Sequence, residues 1–127
     1  MLCLGVLYHL RNPLLGLDRI SEVSERDMLQ ETQIRSGRRR RVGGVAAEQE
    51  PLMEFHPEDS LNSDPTNWWS PNPRALRAML ESACFEVIDM QVLSTRAIAH
   101  TSRVEDEYRH YWRTLDGAST VDFDQEA

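Results

Sequence analysis

Residues Leu2 to Tyr8 form an apolar run with no polar alternation. A half-buried strand alternates apolar and polar residues, so an unbroken run predicts a strand covered on both faces, as in the middle of a parallel sheet. Such a strand needs neighbours on both sides and helical crossovers to reach them. The next residues supply a crossover. Asn12-Pro13 joins a good N-cap to a residue suited to the first helical position, predicting a helix to about Ser24. Leu14, Leu17, Ile20 and Val23 would form its apolar stripe, with Asp18, Arg19 and Glu22 facing water. Asp27 to Ile34 then reads as a second strand, made polar by Gln30, Glu31, Thr32 and Gln33.

Residues 35–66 carry few periodic signals. They open with Ser36-Gly37, the run Arg38 to Arg41 and Gly43-Gly44, then pass through Pro51, Pro57 and Pro65. A long loop with at most short elements is predicted, of a kind that is functional or disordered. Asn72-Pro73 repeats the helix-start pattern, and Ala75, Leu76, Met79, Leu80 and Ala83 share one helical face. Phe85 to Leu93 and Arg96 to Thr101 read as strands joined by a tight Ser94-Thr95 turn, hence an antiparallel pair. Glu105 to Leu115 is predicted as a short helix with Tyr108, Tyr111, Trp112 and Leu115 on one side. The acidic stretch 116–127 is expected to be disordered, which leaves residues 1–115 as the domain. Strands alternating with helices make this an α/β chain with right-handed crossovers and a closing antiparallel hairpin at or near the sheet edge.

The bulk properties exclude several functions. A net charge of −7 and a pI near 5.0 argue against a wholly basic nucleic-acid-binding module. All 14 basic residues are arginine, so no Schiff-base lysine exists. Cys3 and Cys84 lack metal or disulfide spacing and read as small buried hydrophobes in a reducing compartment. His56, His100 and His110 have no metal-like grouping, so no metal is expected. The first ten residues lack a basic region and a cleavage site, and no stretch approaches the roughly 20 apolar residues of a membrane span. A cytoplasmic protein is the expectation.

Ligands of open α/β sheets bind outside the carboxyl ends of the strands. Tyr8 and His9 stand at one such end, and Glu31 and Thr32 at the next. The segment Gly5-Val6-Leu7-Tyr8-His9, followed by Pro13-Leu14, resembles a signature of one group of class I S-adenosylmethionine-dependent methyltransferases. That group includes the tRNA wobble-uridine carboxymethyltransferases and relatives of unsettled substrate. Leu29 to Thr32, with its Glu31-Thr32 pair, is similar to the group's "L-E-T", and Asp64 to Phe85 resembles its "N-W-W-x-P-N … M-L … G-F" block. The resemblance covers about residues 2–93 and implies the C-terminal half of a Rossmann-like methyltransferase sheet, strands four to seven.

It further implies that Leu4, Gly5 and Tyr8 line the methionine and sulfonium part of S-adenosylmethionine. The face of Tyr8 suits a sulfonium because aromatic faces attract cations. Tyr8 and His9 would stand nearest the reaction, His9 either as a base or as a turn histidine bonding backbone. Glu31, Asn67, Trp68 and Trp69 are the substrate-side candidates. The tryptophans either stack on a planar substrate, a small molecule or a tRNA base, or clamp their loop to the sheet. The relatives' glycine is replaced by Cys84 after the helix, where a left-handed cap strains any other residue. No G-x-G pattern occurs anywhere, so the loop that makes most of the cofactor contacts in this class has no counterpart. The expectation is a methyltransferase fragment inactive as an isolated chain. The alternatives are a non-enzymatic half-domain pairing with a partner or itself, and an RNA-binding accessory using Arg38 to Arg41.

Overall fold

The computed structural model describes residues 1–35, 41–42 and 45–105. The chain opens with β1 (Leu2–Leu4), a 3-10 turn at Leu7–His9, α1 (Pro13–Val23) and β2 (Asp27–Gln33). Two short antiparallel pairs follow: β3 (Arg41–Val42) with β4 (Val45–Ala46), and β5 (Met53–Phe55) with β6 (Trp69–Pro71). Then come α2 (Pro73–Ser82), β7 (Phe85–Leu93) and β8 (Arg96–Arg103). The result is a mixed α/β chain whose main sheet has the order β1-β2-β8-β7. β1 is parallel to β2, while β8 is antiparallel to both of its neighbours. The closing strand therefore inserts next to β2, and its hairpin partner β7 takes the edge.

Both helices begin where the Asn-Pro pairs predict. Asn12 Oδ1 accepts from the Leu15 amide at 3.2 Å, and Asn72 Oδ1 from the Ala75 amide at 2.8 Å. The helices cover one face of the sheet. Leu17, Leu76, Leu80, Met28, Ala97, Ala99 and Phe85 are all fully buried in one cluster there. Cys3 and Cys84 are buried free thiols, and burial pushes the Cys3 thiol up against the opposing effect of Gln30.

Three expectations need correction. The first strand does not run to Tyr8: Gly5 takes φ +67, which ends β1 at Leu4 and turns the chain into the 3-10 turn. Nor is β1 covered on both faces, since among the described residues it is the sheet edge, with Leu2 and Leu4 exposed and Cys3 alone inside. The third correction concerns α1, which buries Pro13, Leu17, Asp18 and Ser21 and leaves Leu14 and Val23 exposed. Pro13, Leu17 and Ser21 form one row at helical spacing. The small Ser21 admits Arg103 of β8, whose Nε donates to the Ser21 carbonyl at 2.7 Å. Of the predicted stripe, Leu17 is buried and Ile20 packs against the core. The predicted helix at 105–115 and the tail at 116–127 lie outside the described residues, apart from Glu105.

Cys84 adopts φ 66 directly after α2, the left-handed position that the sequence comparison marked as strained. In the β7–β8 turn, Ser94 holds φ 52 and is exposed. The left-handed region costs a residue with a Cβ roughly 1–2 kcal/mol, and glycine gives part of that back as entropy. Ser94→Gly should therefore stabilise the chain by about 0.5–1 kcal/mol, as measured by urea unfolding.

Candidate functional site

Three strand ends meet on one side of the sheet. β1 and β2 finish there at Leu4 and Gln33, and β8, running the other way, begins there with Arg96 opposite Gln33. Gly5 continues the β1–β2 ladder by donating its amide to the Glu31 carbonyl at 3.1 Å. A Cβ on Gly5 would stand 3.6 Å from Tyr8 Oη and 3.8 Å from Glu31 Oε2, both ordinary contacts. The glycine is thus required for its positive φ rather than for space. Gly5, Tyr8 and Glu31 come together as the sequence suggests, while Leu4 ends its strand with an exposed side chain.

Sequence reasoning missed the residue that organises them. Arg96 Nη1 donates to Glu31 Oε1 at 2.7 Å, Nη2 reaches Tyr8 Oη at 3.5 Å, and the guanidinium carbon lies 5.3 Å from the Tyr8 ring centre. Hydrogen bonding to Tyr8 and then to Glu31 holds the Arg96 guanidinium above its ordinary pKa, against desolvation. The Tyr8 face expected to meet a cation already meets one.

His9 packs beside Tyr8, ring centres 4.3 Å apart. Its Nδ1 lies 3.0 Å from the Thr66 carbonyl and 3.1 Å from Thr66 Oγ1. Thr66 Oγ1 donates its own proton to Asp64 Oδ1 at 2.6 Å, so toward His9 it accepts. Both contacts call for a proton on Nδ1, which leaves Nε2 of the neutral ring as the basic nitrogen. Asp64 also accepts from the Thr66 amide at 2.8 Å. The side-chain bond and then the backbone bond hold its carboxyl below the usual range. His9 therefore bonds backbone, as a turn histidine does, through a nitrogen that leaves the other available.

The tryptophan loop is tied to the same place. The Trp68 amide donates to the Tyr8 carbonyl at 2.8 Å, and Trp69 Nε1 to the Arg11 carbonyl at 3.2 Å. Arg11 lies over the Trp68 ring at 4.7 Å, and Phe55 stacks on it at 6.5 Å with planes 23° apart. Phe55 meets Trp69 edge-on at 5.2 Å. Asn67 is buried, with Nδ2 donating to the Leu61 carbonyl at 2.9 Å and Oδ1 without a partner among the described residues. Beneath the loop His56, also buried, bonds Ser70 Oγ through Nε2 at 2.6 Å and locks β5 to β6.

Arg38 to Arg40 lie outside the described residues. Among the described residues no three His, Cys, Asp or Glu side chains form a metal-binding group, and no helix is long and apolar enough to cross a membrane. No family model and no curated protein matches the chain. Two solved structures of the N-terminal domain of EvdMO1 are similar to it, one in the presence of SAH and D-fucose and one with SAH bound. Each is 21% identical with a TM-score of 0.48, over 82% of this chain and 46% or 45% of the other. The chain thus spans less than half the length of those structures.

Proposed function

We propose that this chain supplies the acceptor side of an S-adenosylmethionine-dependent methyl-transfer site, with most of the cofactor held by elements outside these 127 residues. The observation that carries the reading is the convergence of Gly5, Tyr8, Glu31 and Arg96 at the carboxyl ends of parallel β1 and β2. Tyr8 and Glu31 meet a sulfonium only if the Arg96 guanidinium gives up its place over the ring and beside the carboxylate. When bound, S-adenosylmethionine supplies a methyl group on a sulfonium. The chain's own residues then orient and deprotonate the acceptor. Glu31, its charge balanced by Arg96 at 2.7 Å, and the Tyr8 ring frame the pocket beside the reacting centre. His9, fixed by Thr66 and Asp64, would accept the acceptor's proton on Nε2. The hairpin carrying Trp68 and Trp69 walls the acceptor side, and the acceptor is a small molecule or tRNA.

Calorimetric titration of S-adenosylmethionine into the 127-residue chain tests the division of labour. A dissociation constant of about 1 mM is expected, since binding worth only about 4 kcal/mol matches a fringe of a site. Micromolar binding would overturn it. The exposed edge of β1 favours a partner strand, from a missing N-terminal half, a separate chain or a second copy. Light scattering after size exclusion distinguishes self-association from a monomer.

A further inference from the structure

The Tyr8–Glu31 pair has room for one cation. The Glu31 side chain is only 18% exposed, so its carboxylate is largely withdrawn from water and needs a positive partner. Arg96 is that partner, with Nη1 at 2.7 Å from Glu31 Oε1. Its guanidinium carbon stands 5.3 Å from the Tyr8 ring centre, inside the roughly 6 Å reach of a cation–π contact. A second cation brought to the same ring face and carboxylate would lie against the guanidinium and be repelled by it.

The two charged partners are not equally fixed. Glu31 belongs to β2 and is paired with Leu4 on one side and Ile98 on the other, and its carbonyl accepts from the Gly5 amide. Arg96 is the first residue of β8, directly after the turn in which Ser94 holds φ 52, and its side chain is 41% exposed. Its second contact, Nη2 to Tyr8 Oη, is 3.5 Å long, at the outer limit of a hydrogen bond. The guanidinium can therefore swing into water for the loss of one strong charge-assisted bond, while the carboxylate stays where it is. Tyr8 Oη and Glu31 Oε2 lie 3.6 and 3.8 Å from where a Cβ on Gly5 would stand. On the Gly5 side the pair thus presents a hydroxyl and a carboxylate oxygen with no side chain between them.

We propose that Arg96 is an exchangeable internal cation: its guanidinium closes the Tyr8–Glu31 subsite and leaves when a sulfonium takes its place. This rests on reading the cluster as the fringe of a methyl-donor site. A sulfonium carries the charge but no N–H, so it balances Glu31 without replacing the hydrogen bond to Oε1. The exchange therefore weakens donor binding, and it also sets a preference by charge. The thioether left after methyl transfer is neutral and gains nothing from Glu31, so Arg96 returns to the carboxylate and the subsite closes behind the product.

Calorimetric titration of S-adenosylmethionine and of S-adenosylhomocysteine into the unaltered chain, Arg96→Gln and the double variant Arg96→Gln/Glu31→Gln tests the exchange. Arg96→Gln is expected to bind S-adenosylmethionine about tenfold more tightly and to change S-adenosylhomocysteine by less than about twofold, because Glu31 then lacks an internal cation. The double variant should return S-adenosylmethionine to the value of the unaltered chain. Unchanged or weaker S-adenosylmethionine binding by Arg96→Gln overturns the exchange alone, provided the unaltered chain binds; equal tightening of both ligands does the same. Binding by neither chain overturns the donor-site reading, and the exchange with it. The unaltered chain gives a second readout that no variant's folding can disturb. Nuclear Overhauser contacts from the Arg96 side chain to the Tyr8 ring should fade as S-adenosylmethionine saturates the chain, and their persistence at saturation would also overturn the proposal.

Discussion

Phe85→Ala is expected to cost about 3–5 kcal/mol of unfolding free energy, a large share of what a chain of this size possesses. Phe85 starts β7 directly after the left-handed Cys84, is fully buried, and belongs to the cluster that joins α2 to β8. Leu76, Leu80, Ala97 and Ala99 are fully buried in the same cluster. The alanines bring no bulk with which to refill the space, so the cavity term adds to the lost transfer energy. Urea unfolding followed by far-ultraviolet circular dichroism measures the loss. A change below about 1 kcal/mol would mean that the helix–sheet core is not built as described.

The second large effect is expected at Asn72. It caps α2 through Oδ1, which also accepts from the Leu52 amide at 3.3 Å, while Nδ2 donates to the Glu50 carbonyl at 2.5 Å. Its own amide donates to the Leu52 carbonyl at 2.8 Å. One buried side chain thus fastens the segment leading into β5 to the start of α2, and β5 carries the hairpin that presents Trp68 and Trp69. Losing a cap costs about 1 kcal/mol, and stranding further buried amide and carbonyl groups raises the total for Asn72→Ala to about 2–3 kcal/mol. Asn72→Ser keeps a capping acceptor and loses the donor, so it should fall between Asn72→Ala and the unaltered chain. Faster hydrogen exchange at Leu52 and Trp68 would accompany the loss and show that the hairpin, not only the helix, has loosened. Full stability in the Ser variant would contradict this double role.

Much of the fold was legible because local chemistry decides it. The two Asn-Pro pairs start helices whatever surrounds them, and the Ser94-Thr95 turn forces β7 and β8 into an antiparallel pair. The order of strands and helices followed from these. The burial of Ser21 was not legible, because Arg103 meets its carbonyl from a strand 82 residues away in sequence. The β1 run misled for a different reason. Apolar residues on both sides of a strand report that both faces can be covered, and they do not say by what. β6 escaped notice because three residues, Trp69-Ser70-Pro71, show no period, and its pairing with β5 rests on His56 and Asn72.

At the site, Gly5 and Glu31 were legible near strand ends, since parallel strands put their carboxyl ends together, whereas Tyr8 reaches them from the 3-10 turn and not from a strand end. Arg96 was not legible, since its role exists only once β8 lies beside β2. His9 was only half legible. The sequence left open whether it bonds backbone or acts as a base. The Thr66–Asp64 turn engages its Nδ1.

The central claim is that the carboxyl-end cluster is the fringe of a methyl-donor site. The most direct measurement is a titration of S-adenosylmethionine to millimolar concentration into the labelled chain, followed residue by residue in proton–nitrogen spectra. Dose-dependent shifts centred on the amides of Gly5, Tyr8 and Glu31 and on the Arg96 side chain, abolished by Tyr8→Ala, are the predicted result. Shifts confined to other parts of the chain, or none at all at millimolar ligand, would contradict it.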